Sequence, residues 1–210
     1  MSNTDVNREF SEFGGRMKVM AILTLVSVVI GLFTGFSTDF ASVGFVDAVI
    51  VFVVFILFIL VLGDIKSAGT MLNNKNLLSF RSKIITGFIL GIIGIIIFTT
   101  GLVGLGITIF FIGDLNLLII PLTISLIGIV FLVIAAILQI QAWGRLESFF
   151  TNNATLFSQQ VAEDARAGAK LCRIGAILDI TIILTFIGDI LRVIGYFKLA
   201  ALKYSESTSE

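Results

Sequence analysis

The chain has no histidine. That removes the commonest general base, the side chain that titrates near neutrality, and the commonest metal ligand. The single cysteine, Cys172, excludes an internal disulfide and a cysteine-based metal cluster. The single proline, Pro121, leaves long helices free to run uninterrupted. Charge is scarce as well. Only 13% of residues are Asp, Glu, Lys or Arg, where an ordinary soluble domain carries about 25%. Acidic and basic residues balance at 14 each, so no nucleic-acid partner is expected. No glycine loop ending in Lys-Ser or Lys-Thr is present to cradle a phosphate, and no nucleophile stands beside a base. An enzyme is the least supported class, and no cofactor is implied.

What the chain does have is apolar surface. Of its 210 residues, 57% are hydrophobic, and the mean hydropathy is +1.10. One core cannot hide that much, so the surplus is expected to face lipid. A hydrocarbon layer ~30 Å thick needs roughly 20 apolar residues of helix. Four stretches meet that need: about 17–36, 47–65, 84–109 and 116–141. Pro121 falls in the first turns of the fourth, where a missing N–H costs least. The stretch 172–204 is ambiguous, because it carries Asp179, Asp189, Arg192, Lys198 and Lys203. As one helix it would overshoot the bilayer. Split near Gly188-Asp189 into 174–187 and 190–202, each half is short. The expected fold is an all-α polytopic integral membrane bundle of six segments in three tandem hairpins, with five transmembrane helices as the alternative. Residues 1–16 form a polar cytoplasmic N-terminus and 17–204 the bundle, with cytoplasmic loops at 66–83 and 145–172. A polar tail occupies 205–210. The mixed charges before the first apolar run (Asp5, Glu9, Glu12) do not suit a cleaved leader, so the first helix is expected to stay as an anchor.

Positive charge orients such a chain. Arg8, Arg16 and Lys18 precede the first span, Lys66, Lys75, Arg81 and Lys83 follow the second, and Arg145, Arg166, Lys170 and Arg173 follow the fourth. The connections at 37–46 and around Asp114 hold none. The expected localisation is the cell membrane, multi-pass, with both termini and the basic connections in the cytoplasm. An internal repeat agrees with tandem hairpins. Asn73-Asn74-Lys75-Asn76-Leu77-Leu78-Ser79 shares both Asn, a Leu and the Ser with Asn152-Asn153-Ala154-Thr155-Leu156-Phe157-Ser158. The outgoing segments starting at Gly87 and Gly175 then reach Phe111-Ile112-Gly113-Asp114 and Phe186-Ile187-Gly188-Asp189, with Gly44-Phe45-Val46-Asp47 as a looser third copy. Each Gly-Asp or Val-Asp is expected to turn the chain, with the aspartate capping the helix that follows.

The run Ala167-Gly168-Ala169-Lys170-Leu171-Cys172-Arg173-Ile174-Gly175-Ala176-Ile177-Leu178, continuing to Ile187-Gly188-Asp189-Ile190-Leu191 and Ile194-Gly195-Tyr196, resembles the C-terminal region of a family of small archaeal and bacterial membrane proteins known only as a domain of unknown function. The loop with Leu77-Leu78-Ser79-Phe80 is similar to the matching loop there. The resemblance implies a membrane bundle and supplies no activity. The last apolar stretch departs from the family in carrying Asp179, Arg192 and Lys198.

Candidate polar sites are few. Asp179 stands six residues after Arg173, ~9 Å into the apolar layer, where a carboxylate is costly unless paired, hydrated or protonated. It is either a proton or cation site or the partner of a basic residue on a neighbouring helix. Asp189 and Arg192, at i and i+3, suit an ion pair. Gln139 and Gln141 either bond across helices or mark the inner interface with Trp143. Asp47, Asp114 and Asp189 are either helix caps or a cation-attracting mouth. Gly31 with Gly35, and Gly87 with Gly91, have the spacing of close helix packing, more readily within the bundle than in a dimer. The segment 159–170 is read as an amphipathic interfacial helix or a partner dock, and Asn153-Ala154-Thr155, placed inside by the charge rule, is discounted as a glycan acceptor. The partners are the lipid bilayer and other membrane subunits or a second copy of this chain. Two functions remain: a non-enzymatic scaffold or accessory subunit, and a small ion or solute transporter or channel using Asp179.

Overall fold

The computed structural model describes residues 3–34, 40–112, 115–181 and 184–208. Among these the chain is all-α. Its six α-helices are α1 (Asn3–Thr34), α2 (Phe40–Met71), α3 (Lys75–Ile107), α4 (Ile119–Asn152), α5 (Gln159–Leu178) and α6 (Thr185–Leu199). Short stretches of other helical geometry lie at Thr108–Ile112, Leu115–Leu118, Ala154–Leu156 and Ala200–Thr208. Four helical stretches are long and apolar enough to cross a membrane, and they lie in α1 to α4. Side chains such as Val103, Leu126 and Ile119 are more than 60% exposed, so nothing within the chain covers them.

These helices run past the boundaries that hydropathy alone sets. The polar residues of 1–16 are not a separate tail: from Asn3 they already belong to α1, and Phe10 and Phe13 are buried. The expected loop 66–83 shrinks to Leu72-Asn73-Asn74. Asn73 takes a left-handed backbone (φ 46°), which ends α2. Asn74 then starts α3, its side chain accepting from the backbone N–H of Asn76 at 2.9 Å. The expected loop 145–172 is mostly the end of α4 and nearly all of α5. Hydropathy reports where apolar sequence stops. Helix ends are set by backbone chemistry, and here polar sequence stays helical beyond the apolar stretches.

Those overhanging ends build the core. α1 contributes Phe10, Phe13 and Met17, α2 Ile65, α3 Phe80, and α4 Leu146, Phe149 and Phe150. α5 adds Ala165 and Cys172, and Leu199 and Leu202 close it from the C-terminal end. Phe10 stacks on Phe149 at 5.5 Å and meets Phe157 edge-on at 5.1 Å. The Ser11 hydroxyl donates to the Lys203 carbonyl at 3.0 Å, so the N- and C-terminal segments lie side by side at this end. The ambiguous stretch 172–204 is not one continuous helix. α5 and α6 form a hairpin, roughly 30 Å and 22 Å long, shorter than the other pairs.

The turns differ from the expected ones. α5 ends at Leu178 and α6 begins at Thr185, so Gly188 and Asp189 sit inside α6 rather than at the bend. Asp47 lies well inside α2, which starts at Phe40, and so does not cap it. Gly113-Asp114 lies outside the described residues. Gly188 serves packing instead: a Cβ there would stand 3.0 Å from the Gly175 carbonyl oxygen and 2.8 Å from Asp179 Oδ1. One heptad further, Gly195 faces Gly168, with 2.8 Å to its carbonyl oxygen. α3 and α4 meet through the same device. Gly87, Gly94 and Gly101 on α3 and Gly128, Ala135 and Ala142 on α4 are buried at heptad intervals. A Cβ on Gly128 would stand 2.5 Å from the Phe98 backbone nitrogen. The packing repeat is thus seven, not the four of Gly87 and Gly91. Gly91 makes only ordinary contact with Ala135, Gly31 has open space around it, and Gly35 lies outside the described residues. The repeated Asn-Asn segments both join helices at the core end. They act differently, since Asn74 caps α3 directly whereas α5 starts only after Ser158.

Gly128→Ala is expected to lower stability by about 1–3 kcal/mol, because rigid backbone meets the new methyl. Gly63→Ala, with nothing within 4 Å, is expected to be neutral or mildly stabilising. Unfolding midpoints of the two variants in a denaturing-detergent titration check the contrast.

Candidate functional site

Three of the four polar residues singled out from sequence come together where the α5–α6 hairpin bends. Asp179 is the residue after the last turn of α5, and its N–H bonds the Gly175 carbonyl at 3.1 Å. Its carboxylate pairs with the Arg192 guanidinium on α6. Arg192 also reaches Asp189, one turn back, at 3.4 Å. The bare Gly188 backbone lets the Asp179 carboxylate lie against α6, since any side chain there would strike Oδ1. Two carboxylates therefore share one cation. Asp179 Oδ1 is buried and has no hydrogen-bond partner among the described residues.

Arg192 has a second environment. It lines a cavity of about 700 Å³ between α2 and α3, together with Gln139 and Trp143 of α4 and Tyr196 of α6. The walls are Val51, Phe52, Val54, Phe55 and Phe58 from α2, and Ile84, Phe88 and Ile92 from α3. The size and the few convergent polar groups in apolar walls are those of small-molecule sites. Gln139 thus joins the site through the cavity rather than through the ion pairs. Neither Asp179 nor Asp189 lines it. The cavity forms because α2 and α3 touch closely only near their short connection, while α3 is held against α4 by its glycines.

Sequence reasoning missed three residues. Asp64 is 5% exposed and pairs with Arg16 of α1, which also holds Glu12 at 2.9 Å. The clue was Leu62-Gly63-Asp64, an acid at an inner helix end with basic Arg16 at the matching level of the preceding helix. Trp143, read as an interface marker, is only 4% exposed and sits between Phe80 at 5.2 Å and Tyr196 at 6.2 Å. Tyr196 itself carried no signal beyond being one of two tyrosines. Gln141, between the two floor residues of α4 in sequence but not in the cavity lining, accepts from the Lys83 ammonium of α3.

Breaking the triad should be asymmetric. Asp179→Asn leaves Arg192 its second carboxylate and is expected to cost little. Arg192→Met strands two carboxylates and is expected to cost several-fold more, toward the few kcal/mol of a broken buried pair, reduced because both side chains are about a fifth exposed. Adding Asp179→Asn to Arg192→Met should recover part of the loss, as read in the same detergent titration.

No protein-family model matches the chain, no curated protein matches it, and no solved structure matches it.

Proposed function

We propose that this chain is a multi-pass protein of the cell membrane that acts without catalysis, as a scaffold or accessory subunit of a larger membrane assembly. The observation that carries this reading is how its ionisable groups are disposed. Asp64 faces Arg16, and Asp179 faces Arg192, so each of these two acids is paired with a basic neighbour in the chain. An ion path calls for polar groups converging on a wet passage. Here the cavity walls are apolar, and the carboxylates lie outside its lining. The resemblance to the family of small archaeal and bacterial membrane proteins fits the same reading, and it too brings no activity.

The fold also supports an orientation. Of the 14 Lys and Arg residues, 13 fall toward the core end of the bundle, and the other, Arg192, pairs with Asp179 near the α5–α6 bend. On the positive-inside rule this end is cytoplasmic, with both termini, and α1 to α4 cross outward from it. The α5–α6 hairpin then enters the bilayer from the cytoplasmic side without fully crossing. The second reading, transport through Asp179, rests on one feature, the buried Oδ1 without a partner.

Two measurements test the proposal. Cys172 is fully buried, so it stays silent toward maleimides and reports nothing about sidedness. A Thr155→Cys variant places an exposed thiol between α4 and α5. An impermeant maleimide is expected to label it only after permeabilisation; labelling in sealed cells inverts the orientation. In reconstituted vesicles, proton and potassium flux is expected to equal that of empty vesicles, with or without Asp179→Asn. A wild-type flux that Asp179→Asn abolishes while the protein stays folded would replace the scaffold by the transporter.

A further inference from the structure

The α2–α3 cavity has the chemistry of a lipid site. We propose that it binds one uncharged long-chain lipid, with its hydrocarbon between α2 and α3 and a carbonyl- or hydroxyl-bearing head on the floor formed by Gln139, Trp143, Arg192 and Tyr196. The proposal rests on the four-span reading, which brings the cavity into contact with the bilayer.

The floor supplies the first argument. Trp143 is 4% exposed, lines the cavity, and its indole N–H has no hydrogen-bond partner among the described residues. The Gln139 amide and the Tyr196 hydroxyl likewise have none there. A buried indole N–H can only donate, and amide and phenol can do so too. Arg192 brings five N–H donors, of which the two carboxylates engage only part. A floor this rich in donors suits a head that accepts. These donors line the cavity rather than being sealed within the protein, so an accepting head gains hydrogen bonds from them beyond its apolar contacts.

Charge decides which accepting head. An isolated arginine would favour a phosphate or carboxylate. This one already faces two acids, Asp179 and Asp189, so the site sets two carboxyl groups against one cation. A second anion would be repelled by carboxylates that have no other cation among the described residues. Esters, ketones and alcohols accept the same hydrogen bonds without that repulsion.

The walls fix the rest. Val51 to Phe58 on α2 and Ile84 to Ile92 on α3 each run roughly 10–12 Å along the helix, a stretch of hydrocarbon rather than a compact ring system. Phe55 and Phe88, stacked at 5.2 Å, span the two walls and give the chain a firm apolar surface. A cavity of 700 Å³ accommodates a lipid head and part of a chain while the remainder lies among bilayer lipids.

Trp143 is the protein's only tryptophan, so the floor reports on itself. The test uses the full chain in nanodiscs of ordinary phosphatidylcholine, with brominated lipids as quenchers of tryptophan fluorescence. Brominated 1,2-diacylglycerol is expected to quench in a saturable way at a few mole per cent. Brominated phosphatidylglycerol, with the same chains and an anionic head, should give only the shallow, linear quenching of bulk lipid. Val54→Phe, which fills the cavity from its α2 wall, should remove the saturable phase. Gln139→Leu, away from the ion pairs, should weaken it by about threefold to tenfold, the worth of one hydrogen bond. Linear quenching by both lipids, or a saturable phase that survives Val54→Phe in folded protein, overturns the site. Stronger saturable quenching by the anionic lipid overturns the uncharged head. Discs made wholly of brominated phosphatidylcholine separate the underlying reading: absence of any quenching there, with Trp143 open to aqueous iodide, removes the membrane location itself.

Discussion

Close backbone approach is the constraint on which the rest of this fold depends. Helices this uniformly apolar expose large side chains over most of their surface, so apolar contact alone gives no reason for one face to meet another. In α3 and α4 the reason is a heptad of small residues, where Gly94 meets Leu132 and Gly128 meets Phe98 at backbone distance. In α5 and α6 it is the Gly168–Gly195 and Gly175–Gly188 crossings. Both pairs are antiparallel, and the seven-residue interval brings small residues back to the same seam after two turns. Because α3 belongs to α4 and α6 belongs to α5, the space between α2 and α3 is left to form a cavity.

The ion pairs follow from the same packing. Asp179 reaches Arg192 because Gly188 allows α5 and α6 to lie close where the hairpin bends. Arg16 meets Asp64 because α1 and α2 descend side by side into the core end. In both cases the partner stands on the adjacent helix rather than in solvent.

Much of this was legible in the sequence, and the rest was hidden for physical reasons. The four long apolar helices are visible because each is a near-uninterrupted apolar run long enough to cross a membrane. The Asp189–Arg192 pair is visible because its spacing is local to one helix. Asp179 could be singled out, but its partner lies across a bend whose position the sequence misplaced at Gly188-Asp189. The error came from giving a glycine-aspartate pair its turn meaning when the glycine was needed for a helix crossing. Helix ends were misjudged for a related reason. The polar residues of α1 and the first part of α5 read as loops in a membrane context, yet Phe10, Phe13, Ala165 and Ala169 place a conventional core on those same segments. Trp143 and Tyr196 could not be joined to Gln139 without knowing how α4 and α6 sit against each other.

The closure of the core by Leu199 and Leu202 has a consequence for how the protein is made. Gly14 near the start of the chain lies against the backbone of Leu202 and Lys203 near its end, so tightly that a Cβ at Gly14 would stand 2.3 Å from the Lys203 nitrogen. Each helical hairpin assembles from sequence neighbours and can do so as it emerges from the ribosome. The aromatic cluster around Phe10 and Phe13 cannot be completed in that way. The part of the α1 face that Leu199 and Leu202 cover stays open until α6 and the residues after it have been made and have folded back, so the core is sealed late and by a segment far from α1 in sequence.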